Sequence, residues 1–337
     1  MAAVLGALAA TALPPIHAVP LLAVSFTGLV WLIHSVSSPW RAAATGWCFG
    51  FAHFIAGMYW MAPATLRFTD SVPKAAVGLL GLSAVLAVFL ALATFAARLP
   101  SLSVSGRVLA LAIAWSASEW LRCNVLSGFP MNLLGTVWMP SPAMLQFTSL
   151  AGTYGLGFIT VLAAAAPAVL CPPGRTPGRH AWILPAASFG LLVAVWAGGA
   201  MRLALAPDPA STGTRLRLVQ ANVQQKAEWP EQERMAILDR HLRLSRLPGF
   251  EAADVVIWPE TAVTFYLAGN VPLRTRLSRA APPQGHLLTG SWRRTRQAGR
   301  TTAVWNSLHA LTPEGDIAAT YDKHHLVPFA EYVPLRE

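Results

Sequence analysis

The chain has 337 residues, of which 54% are hydrophobic and only 12% charged, where a typical soluble domain carries about 25% charged residues; an ordinary soluble globular protein is excluded for the chain as a whole. The net charge of +10 comes from scattered basic residues with no dense stripe interleaved with aromatics, which excludes nucleic acid as the partner. Cys48, Cys123 and Cys171 form no disulfide framework and no CxxC pair, so each reads as a small buried hydrophobe, and neither a metal site nor a cofactor is expected.

The charge is also unevenly spread. Residues 1–203 hold two acids, Asp70 and Glu119, and nine Lys or Arg; residues 204–337 hold thirteen acids and sixteen Lys or Arg. Two domains follow: a transmembrane domain over 1–203 and a soluble one from 215 to 337, joined by a linker over 204–214 around Pro207-Asp208-Pro209.

A spanning helix needs about 20 mainly apolar residues. Runs at 19–36, 42–62, 75–97, 142–170 and 181–203 qualify, and 2–14 and 107–121 are shorter candidates, making about seven. The first stops at Pro14-Pro15 and lacks a basic n-region and a cleavage site, so it does not read as a signal peptide. With the N-terminus inside, Arg41, Arg98, Arg107, Arg175 and Arg179 fall in inner loops and Arg67, Lys74 and Arg122 in outer ones, a positive-inside bias. Seven spans then put the soluble half on the outer, periplasmic face of a bacterial inner membrane. Gly46 and Gly50, spaced as GxxxG, suit close helix packing, as does the glycine-rich GTYGLGF run (Gly152–Phe158). His34 and His53 read as hydrogen-bonded core histidines or as lining of a pathway.

The stretch from Arg122 to Pro142 is too long and too apolar for a simple connection. Its Gly128-Phe129-Pro130-Met131 and Trp138-Met139-Pro140 segments suit the headgroup level, either as an interfacial anchor or as a lipid-entry lip over an active site.

Beyond the linker the period changes. Arg215–Val223 reads as a strand, 230–246 as an amphipathic helix, Asp254–Glu260 as a short buried strand ended by Pro259, and His286–Trp292 as another strand. Asn306–Lys323 reads as a hairpin turning at Thr312–Asp316. Together they make an α/β domain. Arg293, Arg294 and Arg296 read as a solvated turn or a contact with anionic headgroups.

Two charged residues at strand ends suggest chemistry. Glu260, at the mouth of an apolar strand beside Trp258, is expected to be partly desolvated, which suits a carboxyl to general-base work; a helix-start acid after Pro259 is the other reading. Lys323 is one of three lysines beside 22 arginines. An ammonium is a compact donor for an oxyanion where a planar guanidinium is not equivalent. A surface lysine at a hairpin end is the alternative. Glu331, eight residues on, is placed to pair with it.

QANVQQ (Gln220–Gln225), WPE (Trp258–Glu260) and YDKHHLVPFAEYVP (Tyr321–Pro334) resemble the nitrilase superfamily. With several spans in front, the chain is similar to the bacterial apolipoprotein N-acyltransferase family. The SGFPM loop and GTYGLGF resemble segments of the same family. The resemblance implies an αββα sandwich with a Glu-Lys-Cys triad. Glu260 would be the general base, Lys323 the oxyanion-stabilising lysine and Glu331 a further site acid. Trp229, Phe129, Pro130 and Met131 would be substrate-binding. The partners it implies are a phospholipid acyl donor, a diacylglyceryl apolipoprotein acceptor and the membrane. Ala330 stands where the family usually has Gly, and Phe129-Pro130-Met131 where Phe-Pro-Trp is common. The family's cysteine lies downstream of the lysine motif, so the resemblance places it after residue 337 and makes the chain the N-terminal portion of such an enzyme. A membrane-tethered amidase or nitrilase, and an inactive truncated membrane protein, are the competing readings.

Overall fold

The computed structural model describes all residues except 70, 100, 126–127, 175, 208–212, 225–228, 298–299, 327–330 and 332–337. Expectations for Ser127, Gln225, Ala330 and residues 208–212 of the linker therefore fall outside the described residues. The chain divides into two compact units, Met1–Pro207 and Asp208–Glu337.

The first unit is helical. It comprises α1 (Ala2–Ala10), α2 (Leu21–Ser35), α3 (Pro39–Gly57), α4 (Ala62–Thr69), α5 (Val72–Arg98), α6 (Val104–Asn124), α7 (Pro142–Leu145), α8 (Thr148–Ala165) and α9 (Ile183–Leu205). Ser38 and Ser103 cap α3 and α6 through their side-chain oxygens, satisfying N–H groups that have no partner inside the helix. The core gathers around Phe26, Phe49 and Trp115, whose rings meet edge to face with centroids 4.9–6.0 Å apart. His53 is buried beside Phe49 and Phe54.

Among the described residues, three helical segments are long and apolar enough to cross a membrane: Val72–Arg98, Thr148–Leu170 and Ile183–Leu205; Leu21–Ser35 is apolar but shorter. α1 has only nine residues, and α6 carries Arg107, Glu119 and Arg122 along its length. Close packing at GxxxG is real. A Cβ on Gly46 would lie 2.0 Å from the Thr94 hydroxyl, and one on Gly50 would lie 3.1 Å from Ala87, both on α5. The GTYGLGF run is less regular than a packed helix: Gly152 has φ +65° and kinks the start of α8. Its Gly157 faces the Glu119 carboxylate, 3.2 Å from where a Cβ would stand. Cys48 and Cys171 are exposed and Cys123 half-buried, contrary to the buried expectation. Cys48 stands on the outward side of α3, Cys171 lies just past the apolar Ala166–Leu170 segment, and Cys123 lies 4.0 Å from the Phe129 carbonyl.

The second unit holds one mixed sheet in the order β1-β2-β3-β4-β5: β1 (Leu216–Leu218), β2 (Val255–Ile257), β3 (His286–Gln297), β4 (Arg300–Leu311) and β5 (Ile317–Asp322). β1, β2 and β3 run parallel, joined through α10 (Glu231–Ser245) and α11 (Val271–Leu277), and β3, β4 and β5 are antiparallel. The helices pack through Leu238, Leu273 and Leu277 into one core with Val256, Leu287 and Leu311. The β4–β5 turn closes by Thr312 N–H to Asp316 C=O at 2.9 Å, with Gly315 at φ +89°.

The strands differ from their sequence limits. β1 covers only three residues of the expected Arg215–Val223, and past it Asn222 turns to φ +47°. β3 runs on to Gln297, and β4 starts at Arg300, ahead of the expected hairpin. The arginine cluster thus lies on a strand rather than a turn. The Arg293 guanidinium grips Asp322 at 2.9 and 2.5 Å, and Arg294 lies over the Tyr266 ring.

Strand alternation sends alternate residues to opposite faces. Leu287, Thr289, Ser291, Ser307, His309 and Leu311 are buried under the helices. The opposite face carries exposed Leu216, Leu218, Trp292, Leu308 and Tyr321. Among the described residues no second sheet covers it.

Candidate active site

The site is assembled where strand ends converge on that open face. β2 ends at Ile257, and the chain continues alongside β3: Trp258 N–H donates to Leu288 C=O at 2.9 Å and Val263 N–H to Gly290 C=O at 3.1 Å. Between these two anchors Thr261 takes φ +53°, a region a β-branched residue rarely enters. The turn sits directly on Gly290, where a Cβ would come within 2.5 Å of Thr261 N and 2.9 Å of Glu260 Cα. Gly290 is therefore needed for close approach, and the turn it permits aims Glu260 over the sheet. No helix begins here, since α11 starts only at Val271, so the helix-start reading of Glu260 falls.

Lys323 follows β5 directly, and its N–H donates to the Asn306 carbonyl of β4 at 2.8 Å. Its Nζ lies 2.9 Å from Glu331 Oε1 and 3.2 Å from Glu260 Oε1. Glu260 and the Lys323–Glu331 pair, drawn from two separate stretches of sequence, thus meet around one ammonium. Beside Lys323, Asp322 is occupied by Arg293 and by the Ser307 hydroxyl at 2.6 Å, which holds its carboxyl below the usual range.

Hydrogen bonding to Glu331, and then Glu260, raises the Lys323 pKa above its ordinary 10.5 against the opposing effect of burial. The group stays a cation throughout the neutral range. Its contribution to stability is fully present below the ordinary lysine value and is lost only as pH rises through the raised one.

The expectation that Glu260 is partly desolvated does not hold, since its side chain is 63% exposed, against 32% for Lys323 and 22% for Glu331. Trp258 does not shield it. That indole is turned into the helical side, where Nε1–H donates to Ser245 Oγ at 2.8 Å and the ring lies 4.9 Å from His241.

Sequence reasoning missed Asn306. Its Nδ2 donates to Glu260 Oε1 at 2.5 Å and Glu331 Oε1 at 3.2 Å, so both carboxylates share the same two donors, an amide and an ammonium. One signal was available: asparagine is depleted in strands, yet this one lies well inside β4, opposite Trp292. Trp229 and Glu260 line a common cavity of about 160 Å³ with Gln220, His241, Thr261 and Thr264. Arg234 secures the outer wall through hydrogen bonds to the Thr264 hydroxyl and carbonyl and by stacking on Phe265. Phe129, Pro130 and Met131 belong to the helical unit; Phe129 is half-buried against its core, while Pro130 and Met131 are exposed.

The mixed sheet carries a Glu–Lys–Glu cluster on its open face, and residues 215–337 match the carbon-nitrogen hydrolase family. Residues 5–166 match the apolipoprotein N-acyltransferase N-terminal domain. Curated relatives named apolipoprotein N-acyltransferase include those of Allorhizobium ampelinum (39% identical), Rhodopseudomonas palustris (36%) and Agrobacterium fabrum (37%). The matches cover 98%, 98% and 99% of this chain and 64%, 64% and 65% of the relatives. The chain thus carries matches to the apolipoprotein N-acyltransferase N-terminal domain and to the carbon-nitrogen hydrolase domain, in the same order as these relatives over nearly its whole length. It spans about 64% of the length of these relatives.

Proposed function

We propose that the chain is the membrane domain and first part of the catalytic domain of an enzyme that moves an acyl chain from a phospholipid to the N-terminal amine of a diacylglyceryl-cysteine lipoprotein. The observation that carries this reading is the Lys323 ammonium held between Glu260 and Glu331, in a unit that follows in sequence a helical one with apolar helices of membrane-spanning length. The nucleophile is a cysteine thiol placed by family resemblance after residue 337. Glu260 takes the thiol proton and the thiolate attacks the carbonyl of a phospholipid ester. Lys323 donates to the oxyanion of the tetrahedral intermediate. Collapse breaks the ester C–O bond, Glu260 returns the proton to the leaving oxygen, and a thioester and a lysophospholipid result. The lipoprotein's free α-amine then attacks the thioester and loses a proton to Glu260; the thiolate leaves and is reprotonated. The open, partly apolar face beside the cluster is where a second sheet of an αββα sandwich packs in this reading. Trp229 lines the entrance, Pro130 and Met131 contact the donor, and the site lies on the periplasmic side of a bacterial inner membrane.

The test uses the full-length gene product in vesicles of phospholipid labelled in one acyl chain. The expected result is label on the protein that hydroxylamine releases, followed by transfer to a synthetic diacylglyceryl peptide with a free amine. Absence of labelled protein, with turnover of a soluble amide instead, establishes the amidase reading. Absence of both activities establishes the inactive one.

Asn306 acts in this scheme by orienting the two carboxylates. Asn306→Ala should slow thioester formation about tenfold, the loss of hydrogen bonds to charged groups. Asn306→Asp, which puts a third carboxylate between Glu260 and Glu331, should slow it more. Equal rates for Asn306→Asp and wild type in the labelling assay would remove Asn306 from the site.

A further inference from the structure

Two charged residues of α6 are deeply buried in the helical unit: Glu119 and Arg122 are each 2% exposed. Such groups persist in an apolar interior only when they are paired or hydrogen-bonded. Both are spent on one segment, Gly128–Leu134. Arg122 Nη1 donates to the carbonyls of Phe129 at 2.5 Å and Met131 at 2.6 Å, and its guanidinium lies 5.3 Å from the Phe54 ring centroid. Glu119 Oε1 accepts from the Leu134 N–H at 2.9 Å and from Trp115 Nε1 at 3.2 Å.

The backbone adds to this grip. Phe129 N–H donates to the Arg122 carbonyl at 3.0 Å. Gly128 has φ +79°, and a Cβ there would lie 2.1 Å from the Cys123 carbonyl oxygen. Asn132 takes φ +55° and lays its side chain against Gly57 at the end of α3. An irregular segment among membrane helices cannot leave its carbonyls to lipid and must satisfy them within the protein. A mere interfacial anchor needs no such fixture. Its consequence is that Phe129 packs on the core while Pro130 and Met131 are held outward, Met131 41% exposed.

We infer that Glu119 and Arg122 are positioning residues, a buried clamp that holds Phe129–Leu134 so that Pro130 and Met131 are presented in one place to the acyl chain of the lipid donor. The ligand in this inference rests on the proposed acyltransferase reading; the clamp itself does not.

The experiment is hydrogen–deuterium exchange on the full-length protein in phospholipid vesicles, paired with donor kinetics, for wild type and Arg122→Gln. The expected exchange rise at the Phe129 and Leu134 amides is about tenfold or more, with residues 108–118 of α6 unchanged. The KM for labelled phospholipid should rise about fivefold while kcat stays within about twofold, the signature of lost ground-state binding. Unchanged exchange at both amides overturns the clamp. Raised exchange with an unmoved KM overturns the presentation of Pro130 and Met131 while leaving the acyltransferase reading intact. A wild-type protein that forms no thioester overturns that reading, and the exchange result still judges the clamp. Should Arg122→Gln loosen α6 as well, the wild-type protein decides: protection of Phe129 and Leu134 equal to that of 108–118 supports the clamp, and free exchange overturns it.

Discussion

Lys323→Arg in the full-length protein should cut acyl-enzyme formation by about 100-fold or more, the usual consequence of losing an oxyanion donor, while leaving the fold in place. The fold survives because arginine can still pair with the two carboxylates that now hold the lysine at 2.9 and 3.2 Å; a guanidinium engages carboxylates well, often bidentately. The chemistry does not survive, for the same reason. The planar fork turns toward Glu260 and Glu331, and no compact donor remains over the reacting carbonyl. The ammonium also differs in being a single point that can serve both carboxylates and a third acceptor at once, since it has three donors. Hydroxylamine-labile label on the variant, measured beside its thermal unfolding, checks both halves of the expectation. Thioester yield near that of wild type removes the oxyanion role from Lys323. Normal unfolding with no thioester is the result that supports it.

Glu260→Gln should reduce thioester formation by about 10²–10⁴-fold at neutral pH, the range for loss of a general base. The geometry is kept, because a glutamine Oε1 still accepts from Asn306 Nδ2 and Lys323 Nζ, the bonds now at 2.5 and 3.2 Å. What is lost is the ability to take a proton. The defect should therefore shrink as pH rises toward about 8.5, where a cysteine thiol ionises without help. Lys323 does not confuse this profile, since its pKa is raised above 10.5 and it keeps its charge across the window. Rates for Glu260→Gln within about threefold of wild type at neutral pH would sink the assignment. A large defect with no alkaline recovery would move Glu260 from proton transfer to orientation of Lys323.

The parts legible in sequence are those whose cause is local. Helical apolar runs, the change of composition after residue 203 and the turn at Thr312–Asp316 follow from propensity, period and turn chemistry within a few residues of each other. Lys323 and Glu260 were visible for a related reason: Lys323 follows directly on β5 and Glu260 stands three residues past β2, and strand ends are where sheets of this kind expose functional groups. Strand limits were less legible. β3 and β4 extend past their apolar runs into Arg293–Gln297 and Arg300–Ala303, because pairing between neighbours sustains a ladder through residues that alone would not ask for one.

By itself, then, the sequence determined that apolar helices precede an α/β unit, and which lysine and which acids were chemically out of the ordinary. Only the tertiary structure decided how they meet. It turned Trp258 inward and left Glu260 exposed through the Thr261 turn on Gly290. It also set Asn306 between two carboxylates that lie 46 and 25 residues away in sequence and folded Arg122 back onto the carbonyls of Phe129 and Met131. The physical reason is the same in each case. Hydrogen bonds and close contacts between distant segments depend on register and approach, and neither quantity is written in the local order of residues.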